Sequence, residues 1–422
     1  MQVLTFTSLY PNSIAPRHGI FVETRLAAIQ RVASVEACVI APVPWFPSRH
    51  PRFGRYADYA RVPSTETRLG NRVFHPRYWT LPGVGMYIQP IAMAAAASRL
   101  ARELCRTGFD FDVLDAHYFY PDGVAAALLA RRMQKPLVVT ARGSDINLLA
   151  RHPWPRHMIK WAAREAAAIV TVSEALSARL IELGVDAARI TVVRNGVDTE
   201  RFAPVDRHAA RQRLELPAGP LIVSIGNLVP EKGHMLVVDA LRELADVRLV
   251  IVGDGPERAR IEQRIATNRL GSRVTVLPAQ QQQDLKWIYG AADVTVLASS
   301  REGLPNVLLE SLACGTPVVA TRVGGVREIV TDSVAGRMVN ERSPAAIARV
   351  VHELLSDPPS RVATRAFAAR FDWATAARAH VAAFERAIAI HSPPRTGVRA
   401  RIIAPEDRIG APPRASRESR HA

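Results

Sequence analysis

The sequence predicts an α/β fold class with two doubly wound domains, each a parallel sheet covered by helices on both faces. A chain of 422 residues is longer than one hydrophobic core usually serves, and 48% hydrophobic residues with only 6% aromatic residues suit packed α/β layers. Short β-branched runs alternate with helix-like Ala-, Leu- and Arg-rich stretches, which is typical of βαβ units. The alternation stops in a polar stretch at 204–220 and then restarts, so we expect a second domain to begin there.

Apolar runs predict the strands of the first domain, residues 1–204. They lie at 3–6, 35–40, 112–114, 137–140, 169–172 and 190–193. Residues 42–90 interrupt the alternation with proline, arginine and aromatic residues, and we expect long loops there. Continuous apolar strands of this kind imply that both sheet faces are covered and that ligands bind at the carboxyl ends of the strands.

The same pattern predicts the second domain, residues 205–372. Its strands are expected at 221–225, 247–252, 274–277, 294–297 and 317–320. A helix-like stretch within 373–391 predicts a closing helix, and residues 392–422 combine low hydrophobicity with high charge, which predicts a basic disordered tail. Two such domains would enclose a cleft.

Charge and cysteine usage narrow the possible partners. A formal net charge of +16 favours a polyanion, which could be nucleic acid, an anionic membrane surface or a phosphorylated substrate. No nucleic-acid-binding signature accompanies that charge, so we expect no nucleic acid partner. Cys38, Cys105 and Cys314 form no CxxC pair and lack nearby histidines at ligand spacing, which predicts free thiols and no metal site. Without a long apolar run or a signal peptide, a cytoplasmic location is expected.

Two glutamates eight residues apart follow the expected strand at 294–297. Glu302 falls in the loop after the strand and Glu310 on the helix beyond that loop. An ionised carboxylate only accepts hydrogen bonds, so each can bind the hydroxyl groups of a sugar or a ribose. Gly303 and Leu304 form the turn before the helix, whose free amides and dipole can hold an anion.

This stretch resembles the E-x7-E motif of the retaining glycosyltransferases of family 4, which have the GT-B fold of two Rossmann-like domains. The resemblance implies that Glu302 contacts the hydroxyls of the donor sugar and that Glu310 contacts the ribose of the nucleotide. Two glutamates at this spacing also occur on exposed helices without such a role. The assignment therefore depends on the motifs around them.

The segment 226–233 resembles the diphosphate clamp of the same family. The resemblance implies that Lys232 neutralises the leaving diphosphate. Asn227 stands where the family commonly has arginine, and an amide supplies no charge. Arg142 and Arg17 are the candidates to replace the missing cation.

A second glycine turn, Gly253 in the segment 252–256, also matches the family. As a dinucleotide fingerprint the turn is incomplete, because Arg258 stands where the third glycine would be. The resemblance places the nucleotide base near this turn. Pro278, at the end of the next strand, would present backbone groups to the edge of the base.

Three segments of the first domain also resemble the family. Gly19 matches a glycine loop against the donor phosphates, although a plain turn glycine fits equally well. His117 follows a strand where relatives carry a histidine near the donor sugar, or it is a structural histidine. Arg142 and Asp145 match an R-G-x-D turn, which implies that they line the acceptor side of the cleft.

A basic segment with two tryptophans, 151–161, has the composition of a contact with anionic lipid. A solvated helix with a buried tryptophan edge would have the same composition. The first interpretation predicts peripheral attachment to the inner face of the cell membrane.

Taken together, the resemblance implies a metal-independent retaining glycosyltransferase that needs no cofactor. Its donor would be a nucleotide-diphosphate sugar, and its acceptor a lipid-linked sugar or a saccharide in envelope or exopolysaccharide synthesis. Three alternatives stay open: a sugar-nucleotide epimerase of related fold, a catalytically silent membrane-associated partner subunit suggested by Asn227, and a dehydrogenase.

Overall fold

The computed structural model describes residues 1–80 and 85–391, and the expected tail at 392–422 lies outside these ranges. Residues 1–391 form one compact unit. It contains two large sheets built mainly of parallel strands, so the predicted fold of two doubly wound domains is confirmed.

The first sheet has eight strands in the order β10-β9-β8-β7-β1-β2-β5-β4. Its buried apolar strands are those that the sequence predicted, and β4 and β5 are an additional antiparallel pair at the edge. The first ten strands, including the separate short pair β3–β6, are β1 (Gln2–Phe6), β2 (Glu36–Ile40), β3 (Val43–Pro44), β4 (Thr65–Arg68), β5 (Asn71–Phe74), β6 (Arg77–Tyr78), β7 (Val113–His117), β8 (Leu137–Ala141), β9 (Ala168–Thr171) and β10 (Ile190–Val192).

Seven α-helices accompany these strands among the described residues. They are α1 (Ile20–Val32), α2 (Arg55–Arg61), α3 (Gly85–Arg106), α4 (Val124–Met133), α5 (Ser144–Asn147), α6 (Pro153–Glu165) and α7 (Glu174–Glu182). The alanine-rich α3 and α4 pack against each other, because small side chains let two helices approach closely over a sheet.

The expectation of long loops at 42–90 was wrong. The segment contains α2, the hairpin β4–β5 and the start of α3. The hairpin forms because Leu69 and Gly70 adopt positive φ between two short strands, and β5 then pairs with β2 to extend the sheet. Proline and arginine content hid these elements, since neither strand is a continuous apolar run.

The second sheet has six parallel strands in the order β13-β12-β11-β14-β15-β16. They are β11 (Leu221–Ile225), β12 (Arg248–Val252), β13 (Val274–Leu277), β14 (Val294–Leu297), β15 (Val318–Thr321) and β16 (Gly336–Val339). The helices of this half are α8 (Arg207–Arg213), α9 (His234–Ala240), α10 (Arg258–Thr267), α11 (Gln282–Ala291), α12 (Asn306–Ala313), α13 (Val326–Ile329), α14 (Pro344–Ser356) and α15 (Arg361–Ala368).

The last described helix, α16 (Trp373–His391), returns to the first sheet. It packs along α1 and against β7, β8 and β9, with Ala377, Ala383 and Phe384 fully buried. A parallel bridge between Val197 and Asp372 fixes the point where the chain crosses back. The closing helix thus completes the core of the first half with residues from the far end of the second.

Candidate functional site

A cleft of about 1060 Å³ lies between the two sheets, at the carboxyl ends of several strands. Its walls come from the loops after β1, β7, β8, β11, β13 and β14. Seven residues singled out from the sequence line it: Arg17, Gly19, Arg142, Asn227, Lys232, Glu302 and Gly303. These residues lie on separate loops of both halves, and the fold brings them to one space.

The centre of the cleft is an ion pair between Lys232 and Glu302. The Lys232 Nζ lies 2.6 Å from the Glu302 Oε1, which also accepts a hydrogen bond from the Ser299 hydroxyl at 2.6 Å. The Lys232 side chain is 25% exposed and that of Glu302 10% exposed, so both are reachable but already shielded from water. A bound anion would compete with Glu302 for Lys232, while a bound polyol would compete with Lys232 for Glu302.

The loop that carries Asn227 and Lys232 is held from behind by a buried histidine. His234 shares a hydrogen bond with the Ser224 hydroxyl at 2.9 Å, and its other ring nitrogen lies 3.3 Å from the Asn227 carbonyl oxygen. Burial lowers the pKa of His234 to about 4, so the ring is neutral at pH 7. Asn227 itself lines the cleft without bringing a charge.

Glycine is required at two positions in the cleft wall. A Cβ on Gly303 would lie 2.1 Å from the Arg142 carbonyl oxygen, far inside contact distance. Gly19 has φ of 66°, and a Cβ there would lie 2.1 Å from the Leu9 carbonyl oxygen. Gly19 also caps α1 without a side-chain bond, which leaves the positive end of that helix at the cleft.

Arg142 is held in the cleft wall by a closed ring of buried polar side chains. Its Nη2 donates to the His117 Nδ1 at 2.7 Å, and the His117 Nε2 donates to the Asp115 Oδ2 at 2.9 Å. On the other side of Asp115, the His380 Nε2 lies 3.4 Å from the Oδ1, and the His380 Nδ1 accepts from the Arg25 Nη1 at 3.1 Å. Since a guanidinium only donates, both imidazoles must present an unprotonated Nδ1.

The Asn195 amide closes the ring. Its Oδ1 accepts from Arg25 at 2.8 Å and from Arg142 at 3.4 Å. Burial would raise the pKa of Asp115, but the two imidazoles beside it more than offset burial and hold the pKa below its usual range. Burial lowers the pKa of His117 to about 4 against the opposing charge of Asp115. The ring therefore contains two guanidinium charges and one carboxylate charge, and the excess positive charge reaches the cleft through Arg142.

Two residues expected in the cleft lie behind its wall instead. His117 is 1% exposed and does not line the cleft, because its two ring nitrogens are taken up by Arg142 and Asp115. Asp145 is fully buried and accepts from the backbone amides of Phe119, Arg142 and Gly143. Its carboxylate shapes the turn that presents Arg142 and does not itself face the cleft.

Glu310 also differs from the expectation. It is 8% exposed, its Oε2 accepts from the Tyr289 hydroxyl at 2.8 Å, and it faces a separate small cavity of about 30 Å³. Burial raises its pKa to about 7. A cavity of that size holds about one water molecule, so a ribose would reach Glu310 only after neighbouring side chains move.

The remaining expected contacts lie beside the cleft. Gly253 and Leu304 belong to neighbouring loops and do not line it, and the Pro278 carbonyl oxygen accepts from its neighbour Gln280 at 2.9 Å. The turn after β13 instead contributes Ala279 and Gln281 to the lining.

Several lining residues were missed by sequence reasoning. Tyr118 and Ser144 share a hydrogen bond of 2.7 Å at the rim, and Arg301 pairs with Glu231 at 2.7 Å. Each is a direct neighbour of a predicted residue, so that proximity in the sequence was the available signal. Arg17 is paired with Asp254 at 3.3 Å across the cleft, which leaves Arg142 better placed than Arg17 to supply a charge to a ligand.

The described part of the chain contains neither a cluster of side chains placed to bind a metal ion nor a helix able to span a membrane. Within residues 1–80 and 85–391, no group of three or more His, Cys, Asp or Glu side chains is placed to hold a metal ion. Over the same ranges, none of the helices has the length and apolar character needed to cross a membrane. The three cysteines are free thiols, with Cys38 and Cys314 buried and Cys105 partly exposed.

The geometry defines an α/β protein of the two-sheet class with a polar ligand cleft between the sheets. Two family descriptions match the chain: Glycosyltransferase Family 4 over residues 26–201 and Glycosyl transferases group 1 over residues 206–371. The chain belongs to this glycosyltransferase family, as the resemblance of the E-x7-E segment implied.

Curated relatives support the same membership. The chain is 33% identical over 341 residues to TuaC of Bacillus subtilis (strain 168), a glycosyltransferase assigned to teichuronic acid biosynthesis, with 78% of this chain and 83% of that protein covered. It is 31% identical over 353 residues to the D-inositol 3-phosphate glycosyltransferase of Mycobacterium tuberculosis (strain ATCC 25177 / H37Ra), with 78% and 73% covered.

Solved structures confirm the GT-B fold. Sucrose-phosphate synthase from Thermosynechococcus elongatus superposes with a TM-score of 0.73 at 19% identity, covering 92% of this chain and 99% of that chain. HepE of Anabaena, solved in complex with UDP and glucose, superposes with a TM-score of 0.67 at 20% identity, covering 91% and 99%. At these identities the likeness concerns the fold alone.

Proposed function

We propose that this glycosyltransferase transfers a sugar, with retention of anomeric configuration, from a nucleotide-diphosphate sugar to a lipid-linked or saccharide acceptor. The observation that carries the proposal is the 2.6 Å pair between Lys232 and Glu302 in the cleft that Arg142 also lines. The pair joins a cation suited to a diphosphate with a carboxylate suited to sugar hydroxyls. HepE in complex with UDP and glucose supports a nucleotide sugar as the donor.

On donor binding, the diphosphate takes Lys232 away from Glu302, and Glu302 then accepts from the sugar hydroxyls. Lys232 and Glu302 each exchange one charge-assisted contact for another. Their side chains are therefore already positioned in the empty site, and little free energy is lost when their mutual contact breaks. The bond from the anomeric carbon to the phosphate oxygen breaks while the acceptor oxygen bonds on the same face. The acceptor proton moves to the departing diphosphate, so the protein supplies position and charge and needs no base of its own.

Arg142 is the second cation of this proposal. Asn227 brings no charge to the clamp, and Arg17 is engaged with Asp254. The buried ring holds the two guanidinium charges of Arg25 and Arg142 against the single carboxylate of Asp115, so one positive charge in the ring has no carboxylate to offset it. We propose that the donor diphosphate offsets it, and that Glu310 turns toward the ribose when the small cavity opens.

For the biological setting, we propose envelope or exopolysaccharide synthesis on the inner face of the cell membrane. TuaC is assigned to the synthesis of teichuronic acid, and the cationic cleft suits an acceptor that carries phosphate. Neither a metal nor a cofactor is needed for the proposed reaction, because cationic side chains stabilise the leaving group.

The test is a panel of UDP-, GDP- and ADP-sugars offered with a polyprenyl-phosphate-linked sugar or a soluble saccharide, with and without EDTA. The proposal expects release of the nucleoside diphosphate only when an acceptor is present, and a product whose anomeric configuration matches the donor by proton NMR. Inversion would refute retention, and loss of activity in EDTA would refute metal independence. A new nucleotide sugar formed without any acceptor would instead identify an epimerase.

A further inference from the structure

A set of large apolar side chains is exposed on the first half of the molecule, away from the sheet cores. Trp79 is 65% exposed, Ile91 56% and Tyr87 52%, while Trp154, Trp45 and Ile88 are each exposed by about two fifths. Soluble proteins rarely leave so many large apolar side chains in one neighbourhood without a partner. These six residues are named here the aromatic surface.

Contacts join the six residues into one surface. The rings of Trp45 and Trp79 lie 4.1 Å apart, and those of Tyr87 and Trp154 lie 6.2 Å apart. Gln89 of α3 donates to the Tyr78 hydroxyl at 2.9 Å, which ties the first turns of α3 to the residue before Trp79. Both aromatic pairs are therefore linked to the start of α3, which also carries Ile88 and Ile91.

The charge around the aromatic surface is positive. The segments that build it, 42–61, 76–80, 85–100 and 146–164, contain ten arginines and lysines in sequence and one acid, Asp58. Arg49, Arg151 and Arg156 are among those that the structure shows exposed. Tryptophan, tyrosine and isoleucine beside arginine are the combination that partitions into the headgroup region of an anionic bilayer.

The aromatic surface adjoins the cleft. The Tyr120 hydroxyl donates to the Met86 carbonyl oxygen at the start of α3, and Tyr120 lies two residues after Tyr118 at the cleft rim. On the other side, Asn147 lines the cleft, and the chain then runs through one short turn into α6, which carries Trp154. A surface resting on lipid here would bring the cleft rim close to the headgroups.

We propose that the aromatic surface docks the protein on an anionic phospholipid bilayer. Relative to the lipid contact expected at 151–161, the structure adds Trp45, Trp79 and the first turns of α3, and they contribute most of the exposed apolar area. The inference rests on the proposed function only for its purpose, which is to present the cleft to an acceptor held in the membrane. The docking itself needs neither donor nor acceptor.

The experiment is co-sedimentation of the full chain with vesicles of phosphatidylcholine containing about 30% phosphatidylglycerol, compared with phosphatidylcholine alone. We expect binding to the anionic vesicles that salt weakens without abolishing it. The triple variant Trp79→Ser/Tyr87→Ser/Ile91→Ser should bind roughly a hundredfold more weakly, since each side chain loses much of its partition energy. Arg49→Gln/Arg151→Gln should bind roughly twentyfold more weakly, at about one charge contact per arginine.

The matched control is Ile181→Ser/Val362→Ser, which removes two apolar side chains that are exposed elsewhere, by 45% and 80%. It should bind vesicles as the unchanged protein does. Thermal unfolding establishes that each variant is folded. Binding of the triple variant equal to that of the control would overturn the proposal, as would a chain that ignores anionic vesicles. The proposal would also be overturned if the unchanged protein forms a dimer and does not bind vesicles, while the triple variant is a monomer. That result would assign the aromatic surface to contact with a second copy of the chain.

Failure of docking and failure of sugar transfer are separable. Vesicle binding is measured without substrates, and transfer can be measured to a soluble saccharide without vesicles. If transfer to the soluble saccharide persists while vesicle binding is absent, only the docking proposal fails. If vesicle binding persists without transfer from any donor, only the proposed function fails.

Discussion

Replacing Asp115 by asparagine removes the one carboxylate from a buried ring with two guanidinium groups. The carboxylate is 1% exposed, accepts from His117 at 2.9 Å and faces His380 at 3.4 Å. Removing one partner from a buried charged network costs about 3–5 kcal/mol, because the opposite charges remain buried without compensation. We expect Asp115→Asn to lose about 4 kcal/mol of unfolding free energy in urea.

The same change should disturb the cleft. Without the carboxylate, His117 no longer has a strong acceptor for its Nε2 proton, and its contact to Arg142 at 2.7 Å loses its orientation. We expect the KM for the donor to rise roughly tenfold, because a phosphate contact of about 1–2 kcal/mol is misplaced, while thermal unfolding shows that the variant remains folded at the assay temperature.

Asp293→Asn is the matched control. Asp293 also lies between two guanidinium groups, at 2.6 Å from the Arg207 Nη1 and 3.0 Å from the Arg211 Nη2, but it belongs to the second half and does not line the cleft. It should lose stability without any change in the KM for the donor. The reasoning is refuted if both variants raise the KM alike, or if Asp115→Asn leaves both stability and KM unchanged.

Three further predictions concern single side chains. As pH rises from about 4.5 to 7, the unfolding free energy of Glu310→Gln should increase relative to that of the unchanged protein by up to about 3 kcal/mol. The reason is that the pKa of Glu310 is about 7 in the folded state, so ionisation of the buried carboxylate destabilises the unchanged protein over that window. A pH-independent difference in urea unfolding would contradict this. Gly303→Ala should lose about 1–3 kcal/mol and most transfer activity, since its Cβ would lie 2.1 Å from the Arg142 carbonyl oxygen, whereas Gly271→Ala, in open space, should lose neither. The unfolding free energy of the unchanged protein should fall as pH drops from about 6.5 toward 4. The reason is that His234 is buried and neutral with a pKa of about 4 in the folded state, so it takes up a proton more readily in the unfolded state. His234→Gln should reduce this pH dependence, and an unchanged pH dependence would exclude His234 as its cause.

The strands were predictable because parallel strands buried on both faces are continuous apolar runs. Every predicted run corresponds to a strand of one of the two sheets. The elements between residues 42 and 80 were not predictable in this way. The hairpin β4–β5 alternates exposed residues with less exposed ones and gains its stability by pairing with β2. Local composition does not reveal that pairing.

The candidate site was predictable where the signal is local and hidden where the partner is distant. Glu302, Gly303 and Lys232 lie in loops that follow strands, and strand ends meet in a doubly wound fold. The ring that holds His117 is completed through Asp115 by His380, which the returning helix α16 brings from the far end of the second half. Glu310 likewise is closed off by Tyr289 of α11, so the spacing between the two glutamates predicted their elements and not their surroundings.

The central claim is that Glu302 binds the hydroxyl groups of the donor sugar while Lys232 binds the diphosphate. The most direct measurement compares Glu302→Gln with the unchanged protein in two quantities: the rate of sugar transfer and the calorimetric affinity for the free nucleoside diphosphate. The control is Glu262→Gln, which removes an exposed partner of Arg258. We predict a loss of kcat of roughly a hundredfold in Glu302→Gln, at about 3 kcal/mol of lost transition-state contact, with nucleoside diphosphate affinity unchanged or tighter because Lys232 is released. Transfer at an unchanged rate in Glu302→Gln would contradict the claim.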